Sequence, residues 1–200
     1  MTMAHYHTIE RPAPAGAPLF FTFHGTGGDE TQFFDLAQSL KPDAHVIALR
    51  GDVSEHGALR FFKRKAEGVY DMEDLALRTK ALAEFVSDYK AQTKASRVIG
   101  LGYSNGANIL ASVVMAEPQL FSDAILMHPL IPWKPIDFVG VAKTRVLITA
   151  GKRDPICPAP LTQNLAAYFR GQGSPTELFW HDGGHDLRQV EVDAAKIFLG

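Results

Sequence analysis

Residues 97–110 read RVIGLGYSNGANIL, and the order of residue types in this stretch decides the fold class. Arg97-Val98-Ile99-Gly100-Leu101 is an apolar run of strand length, while residues 107–116 carry helix formers with Ile109, Leu110, Val113 and Val114 on one face. Between them, Gly102-Tyr103-Ser104-Asn105-Gly106 fits the G-x-S-x-G pattern. A strand that gives way to a helix over so few residues needs a sharp, strained turn with no bulky side chains where backbones close up. Gly102, Gly106 and Ala107 meet that need, and the turn projects the Ser104 hydroxyl. A glycine-rich turn can also hold a serine without chemistry, and a lone hydroxyl does little near neutral pH until a base takes its proton. The rest of the chain has to supply that base and a group to orient it.

Outward from this stretch, short apolar runs alternate with helical patterns. Residues 19–23, 45–49, 123–127, 145–150 and 178–180 read as strands, and residues 31–40, 72–89, 161–169 and 190–199 as helices. Such alternation predicts an α/β domain: a compact, mostly parallel central sheet with crossover helices on both faces. Val146-Leu147-Ile148, apolar throughout, suits a sheet covered on both sides. Residues 51–71 are charged and aromatic without a clear period, include Arg60-Phe61-Phe62-Lys63-Arg64, and read as a long surface loop. With no internal repeat, low-complexity segment or charged linker, residues 1–200 read as one domain.

Composition narrows the function classes. The 200 residues are 46% hydrophobic and 21% charged, enough for a sizeable core. Twenty basic against twenty-two acidic residues, a net charge of −2, leave no basic footprint for nucleic acid. The expected partner is a small molecule. Cys157, the single cysteine, allows no internal disulfide or multi-cysteine metal site, and reads as a small buried hydrophobe. Residues 1–16 lack the apolar segment of a signal peptide, and no run approaches the roughly eighteen apolar residues of a membrane span. A cytoplasmic protein without stable membrane association is expected. A homodimer stays open, its face to be marked by an exposed apolar patch.

In open parallel sheets, ligands gather outside the carboxyl ends of the strands. His24-Gly25-Thr26-Gly27-Gly28, Arg50-Gly51, Ser104-Asn105, His128 and Asp154 all follow expected strands and should share that edge. Asp154 comes after the strand at 145–150 through Gly151-Lys152-Arg153, and His185 lies in the loop His181-Asp182-Gly183-Gly184-His185-Asp186. His185 can take the Ser104 proton during attack on an acyl carbon, with Asp154 fixing the imidazole tautomer. Asp154 also reads as an Asp-Pro turn, His185 as a turn histidine, and Asp182 and Asp186 as competing acids whose nearness to His185 in sequence makes reach harder. Negative charge developing on the substrate oxygen needs fixed donors: the backbone N–H of Asn105 and, from the glycine-rich loop, that of Thr26.

Other chemistries fit less well. The glycine loop has no following Gly-Lys-Ser/Thr to cradle phosphate, and Asn105 stands where a dinucleotide fingerprint beginning at Gly100 and Gly102 needs its third glycine. His181 and His185 have i,i+4 spacing, but Gly183-Gly184 between them argues against a helical metal face. His24 and His128 read as structural or pocket-edge residues, so neither metal nor cofactor is expected.

Taken together, His24-Gly25-Thr26-Gly27-Gly28-Asp29-Glu30, Arg50-Gly51, Arg60-Phe61-Phe62, Gly102 to Asn108, the Asp154 turn and Gly183-Gly184-His185 resemble the carboxylesterase/phospholipase branch of the α/β-hydrolases. That branch includes acyl-protein thioesterases and small bacterial carboxylesterases, and the chain is most similar to the bacterial group. The resemblance implies the α/β-hydrolase fold and a cofactor-free serine hydrolase acting on short- or medium-chain or aromatic esters, with the triad Ser104, Asp154 and His185 in that chain order and an oxyanion hole from Thr26 and Asn105; an acyl thioesterase or lysophospholipase, and a non-catalytic ligand-binding protein on the same fold, are the alternatives. Thioesterase relatives commonly carry glutamine after the nucleophile where this chain has Asn105, which points away from long-chain lipid specificity. The connection from His128 to Val141 is too short for a large cap domain, so a shallow, open cleft is expected. Phe61, Phe62, Leu130, Ile131 and Trp133 are candidates to line an acyl or aromatic pocket, and each reads equally as plain core. Arg60 and Arg64 could attract an anionic substrate, but read first as an exposed, solvated face.

Overall fold

A computed structural model describes residues 6–137 and 143–200. Its chain order is β1 (Thr8–Arg11), β2 (Leu19–Phe23), α1 (Phe34–Leu40), β3 (His45–Leu49), β4 (Val53–Glu55), β5 (Ala58–Arg60), β6 (Arg64–Ala66), β7 (Val69–Tyr70), α2 (Met72–Thr93), β8 (Val98–Tyr103), α3 (Asn105–Ala116), β9 (Asp123–Met127), β10 (Arg145–Gly151), α4 (Ala159–Gly171), β11 (Thr176–His181) and α5 (Gln189–Leu199). Seven strands form one sheet in the order β1-β3-β2-β8-β9-β10-β11, parallel throughout except for β1, which pairs antiparallel with β3.

Alternation along each strand divides the core in two. Leu19, Phe21 and Phe23 of β2, Ala124 and Leu126 of β9, and Val146 and Ile148 of β10 face α2, α3 and α4, meeting Leu82, Val86, Leu110 and Phe169. Phe20, Ile125, Met127 and Leu147 face the opposite way, onto Ala37 of α1 and Ala195, Phe198 and Leu199 of α5. Phe20, Phe21 and Phe23 are fully buried, each contributing roughly 2 kcal/mol of apolar transfer. The strands therefore read as continuous apolar runs because both faces are covered.

Two features depart from the sequence expectation. Residues 51–71 are not irregular: they fold as two antiparallel hairpins, β4 with β5 and β6 with β7. Their strands are two or three residues long, too short for a visible period, and the turn that reveals the first is His56-Gly57, both at positive φ. The edge strand β1 was also unforeseen, because Thr-Ile-Glu-Arg carries one large apolar residue and its register is set by pairing with β3 alone. Within the expected connection from His128 to Val141, residues 128–137 contain no helix, and 138–141 lie outside the described residues. Among the described residues no helix is long and apolar enough to cross a membrane.

Helix α3 lies very close to β2. A Cβ on Gly106 would fall 2.1 Å from the Phe23 carbonyl oxygen and 2.5 Å from that of His24, both backbone atoms that cannot swing aside. Gly106→Ala is therefore expected to lower stability by about 2–3 kcal/mol in urea denaturation. A change under about 0.5 kcal/mol would mean that the helix can withdraw freely from the sheet.

Candidate active site

Parallel register carries several reactive residues to one edge. Tyr103 of β8 pairs with Met127 of β9, and Met127 with Thr149 of β10, so the residues that follow, Ser104 and His128, stand side by side. The ladder continues one step past the strands: the Ser104 N–H donates to the Met127 carbonyl (2.9 Å) and the His128 N–H to that of Thr149 (2.8 Å). Both residues have φ of 51°, in the left-handed region. Backbone held there by a side-chain-bearing residue costs about 1–3 kcal/mol and persists only where its surroundings enforce it.

Ser104 occupies the N-cap position of α3 yet makes no side-chain cap hydrogen bond. A serine there ordinarily caps its helix, worth about 1 kcal/mol. With φ 51° and ψ −116°, its hydroxyl instead meets His185, Oγ lying 3.0 Å from Nε2. Gly102 permits this turn, since a Cβ there would fall 2.5 Å from the Gly106 carbonyl oxygen. His185 Nδ1 lies 2.7 Å from Asp154 Oδ2. An ionised carboxylate only accepts, so Nδ1 carries the proton and Nε2 is left as the acceptor for Ser104. Tyr103 steadies the loop by donating its hydroxyl to the His185 carbonyl oxygen (2.9 Å).

Asp154 is no ordinary Asp-Pro turn. Its Oδ1 accepts from the N–H groups of Ile156 (2.8 Å) and Cys157 (3.0 Å), and its Oδ2 from His185 and also from His128 Nδ1 (2.8 Å). Burial alone would raise its pKa, but the bonds from His128, Cys157, His185 and Ile156 outweigh that and hold the carboxyl below its ordinary range. The competing acids lie apart: Asp182 pairs with Lys152 at 2.8 Å, and Asp186 is exposed.

Behind Asp154 lies a group that sequence reasoning did not assemble. His128 Nε2 is 3.1 Å from Glu191 Oε1, with both side chains wholly buried. Glu191 Oε1 also accepts from the Thr149 hydroxyl (2.6 Å); its Oε2 accepts from the Arg188 N–H (2.9 Å) and lies 3.2 Å from His181 Nε2. Burial pushes the His128 imidazole down, but the hydrogen bonds to Glu191 and Asp154 exceed that and keep its pKa above the ordinary value. His128 was visible as a residue following a strand; Glu191 was not, because an acid in the first turn of a helix reads as a dipole partner. Among the described residues, His128, His181 and Glu191, and likewise His128, Asp154 and His185, bring three potential metal-ligand atoms within 4.8 Å of one another. Hydrogen bonds link Asp154 to both His128 and His185 and Glu191 to His128, which calls for protons between them, while His181 Nε2 lies 3.2 Å from Glu191 and 3.4 Å from His128 Nε2.

The other expected site residues separate into two sets. Thr26 is exposed; its hydroxyl accepts from Arg60 Nη1 (2.8 Å), while the Gly27 N–H donates to the Leu59 carbonyl (2.9 Å). The same loop touches the elbow, since a Cβ on Gly25 would come 2.7 Å from the Tyr103 ring. Asn105 is buried, and its Oδ1 accepts from the Phe61 N–H (2.8 Å). Asn108, one turn on, accepts from the Leu130 N–H (2.6 Å) and donates to the Tyr70 hydroxyl (2.8 Å). His24 is structural: Nδ1 bonds the Gly25 carbonyl and Nε2 accepts from the Gly51 N–H.

One expectation needs correction, and one reading left open is decided toward core. Arg60 is not on a solvated face: it is 3% exposed, donates to Phe62 O and Thr26 Oγ1, and lies over the Phe62 ring, because it ends β5 beneath the glycine loop. Arg64 is only partly exposed and is already paired with Glu55 and Glu67. Phe61 and Phe62, at 2% and 0% exposure, pack on Phe23, His24 and Tyr70 as core and have almost no surface to offer a ligand. Leu130 and Ile131 are nearly as buried. Trp133 lines a 650 Å³ groove between α2 and α3, and with Ile131 a 430 Å³ groove beside α4; Ser104, Asp154 and His185 line neither.

The chain has recognisable relatives. The model of the dienelactone hydrolase family matches residues 58–188. MhqD of Bacillus subtilis (strain 168), a hydrolase by name, is 43% identical over 181 residues, covering 89% of this chain and 90% of its own. Among solved structures, Atu2452 of Agrobacterium tumefaciens, a protein of unknown function, is 52% identical with a TM-score of 0.93, the match covering 97% of this chain and 95% of that one. A carboxylesterase of Bacillus cereus is 35% identical with a TM-score of 0.91, covering 98% and 94%.

The glycine loop is also anchored from behind. Glu30, 5% exposed, accepts two hydrogen bonds from Arg50, each of 2.5 Å, and this guanidinium holds its carboxyl below the usual range. A depressed carboxyl contributes stability above its unfolded value, about 4.3, and loses it as pH falls through the lower folded value. Glu30→Gln should therefore be less stable than the parent at pH 7 in urea denaturation, with the gap closing below about pH 4. A gap independent of pH would contradict this ion pair.

Proposed function

Given that the chain belongs to the dienelactone hydrolase family, within the α/β-hydrolase superfamily, we propose that it is a serine hydrolase cleaving carboxylic esters through an acyl-enzyme intermediate. The observation that carries this reading is the unbroken line from Ser104 Oγ to His185 Nε2 (3.0 Å) and from His185 Nδ1 to Asp154 Oδ2 (2.7 Å). In this reading Ser104 Oγ attacks the acyl carbon as His185 Nε2 takes its proton, and the proton passes to the departing alcohol oxygen. Water then attacks the acyl-enzyme with His185 again as base, releasing the acid and restoring the serine. Asp154 holds the tautomer and stabilises the imidazolium that forms twice in each turnover.

The N–H groups of Thr26 and Asn105 are assigned to the developing oxyanion. Support comes from the anchoring of the Thr26 loop on Arg60, Leu59 and Tyr103, and from the position of Asn105 directly after the nucleophile. A lactone is a cyclic ester, so the family name and that of the Bacillus cereus relative both concern an acyl carbon bonded to oxygen. We assign short- or medium-chain or aromatic acyl groups, since the large apolar side chains expected to form a pocket are mostly core and the two grooves at Trp133 are not lined by Ser104.

A fluorophosphonate serine probe should label the native chain and leave Ser104→Ala unlabelled; labelling that persists in the variant would refute the nucleophile. His185→Ala should lower kcat/KM by about a thousandfold or more, and the double variant should be no worse than either single one. On p-nitrophenyl acetate, butyrate, octanoate and palmitate, kcat/KM should peak at the shorter esters. A steep rise toward palmitate would favour a thioesterase or lysophospholipase instead.

A further inference from the structure

The proposed reaction uses three side chains and leaves two buried ionisable groups beside them, His128 and Glu191, without a task. Their geometry is restrictive. Each ring nitrogen of His128 faces a carboxylate oxygen, Nδ1 that of Asp154 at 2.8 Å and Nε2 that of Glu191 at 3.1 Å, with His181 Nε2 also 3.4 Å from His128 Nε2. Those carboxylates are themselves fed by donors: Asp154 by two backbone N–H groups and His185, Glu191 by the Thr149 hydroxyl and the Arg188 N–H. Oxygens so surrounded are accepting, which favours hydrogen on both ring nitrogens of His128 and hence the imidazolium form. The strained backbone of His128, level with Ser104 on the neighbouring strand, is an independent sign that the ring is held where it is for a reason beyond packing.

We propose that His128, with Glu191, is a positioning residue of the Ser104 site, a fixed cation that clamps Asp154 Oδ2 in line with His185 while Glu191 cancels its charge. The inference rests on the serine-hydrolase reading above. Without Glu191, the His128 charge would neutralise Asp154 and oppose the imidazolium forming at His185, whose ring centroid is 5.1 Å away. With Glu191, the two carboxylates and the one cation leave a net negative charge facing His185. The remaining polar groups around His128 fit this scheme. His181 accepts from the Gly183 N–H at Nδ1, so in its neutral form Nε2 carries the proton; that nitrogen lies 3.2 Å from Glu191 Oε2 and 3.4 Å from His128 Nε2, and the nearer, charged oxygen is its acceptor in this scheme. Tyr103 presents its ring at 5.8 Å, the Cys157 thiol donates to the His128 carbonyl oxygen (3.2 Å), and Arg188 is exposed. Burial pushes the Cys157 thiol up, which keeps it neutral beside Asp154.

The test starts on the unmodified chain with nitrogen-15 histidine spectra, assigning the His128 ring by its contacts to the Tyr103 and His185 rings. Two protonated ring nitrogens at pH 8, well above the ordinary histidine value of about 6.5, are expected. One proton at that pH, or a stoichiometric metal in the purified protein, would overturn the proposal. Next, the rate of fluorophosphonate labelling is followed against pH. Replacing His128 by Gln leaves two uncompensated carboxylates and should move the acid limb to higher pH; Glu191→Gln leaves the cation opposite Asp154 and should move it to lower pH. Each shift should be about one unit, a tenfold change in rate on the limb. Limbs that stay put, or move together, would sink the electrostatic role and leave only packing. A native chain that never labels would refute the serine-hydrolase reading, and the ring spectrum would still decide the clamp.

Discussion

One carboxylate oxygen organises this site. Asp154 Oδ2 accepts from two imidazoles, His185 at 2.7 Å and His128 at 2.8 Å, while Oδ1 is held by two backbone amides of its own turn. No rotation of the carboxyl group keeps all four bonds, so its plane is fixed by its surroundings. A buried charge survives only when it is paired and hydrogen-bonded, and this one is both. The loop bearing His185 and the start of α5 with Glu191 are thereby tied to the ends of β9 and β10.

The sheet explains how four distant segments reach that oxygen. Register places Ser104 and His128 on adjacent strand ends, and Asp154 and His185 follow the next two strands. The parallel strands of the main sheet were legible because pairing under helices on both faces demands largely apolar runs, and Leu19 to Phe21, Ile125 to Met127 and Val146 to Ile148 supply them. β1 and the two hairpins were not legible, since their residues are held by partners far along the chain or by turns more than by their own pattern.

At the site, the serine and its two expected companions could be read because their chemistry is carried by residue type and by position after a strand. The surroundings could not. Whether an arginine such as Arg60 is solvated or buried under a threonine hydroxyl depends on how a hairpin folds back, and nothing in Arg60-Phe61-Phe62 reveals it. Glu191 illustrates the same limit: it becomes a partner of His128 only once α5 is laid across the sheet.

Asn105 and Asn108 have a wider consequence. Through side-chain bonds to the backbone of Phe61 and Leu130, and through Tyr70, the first turn of α3 fastens two separate loops to the helix that carries Ser104. These fastenings act as fixed anchors, so the chain on either side of each can lengthen or shorten without tilting the elbow. Changes of length or sequence in the spans between these anchors therefore leave the hydrogen bonds that hold the elbow untouched.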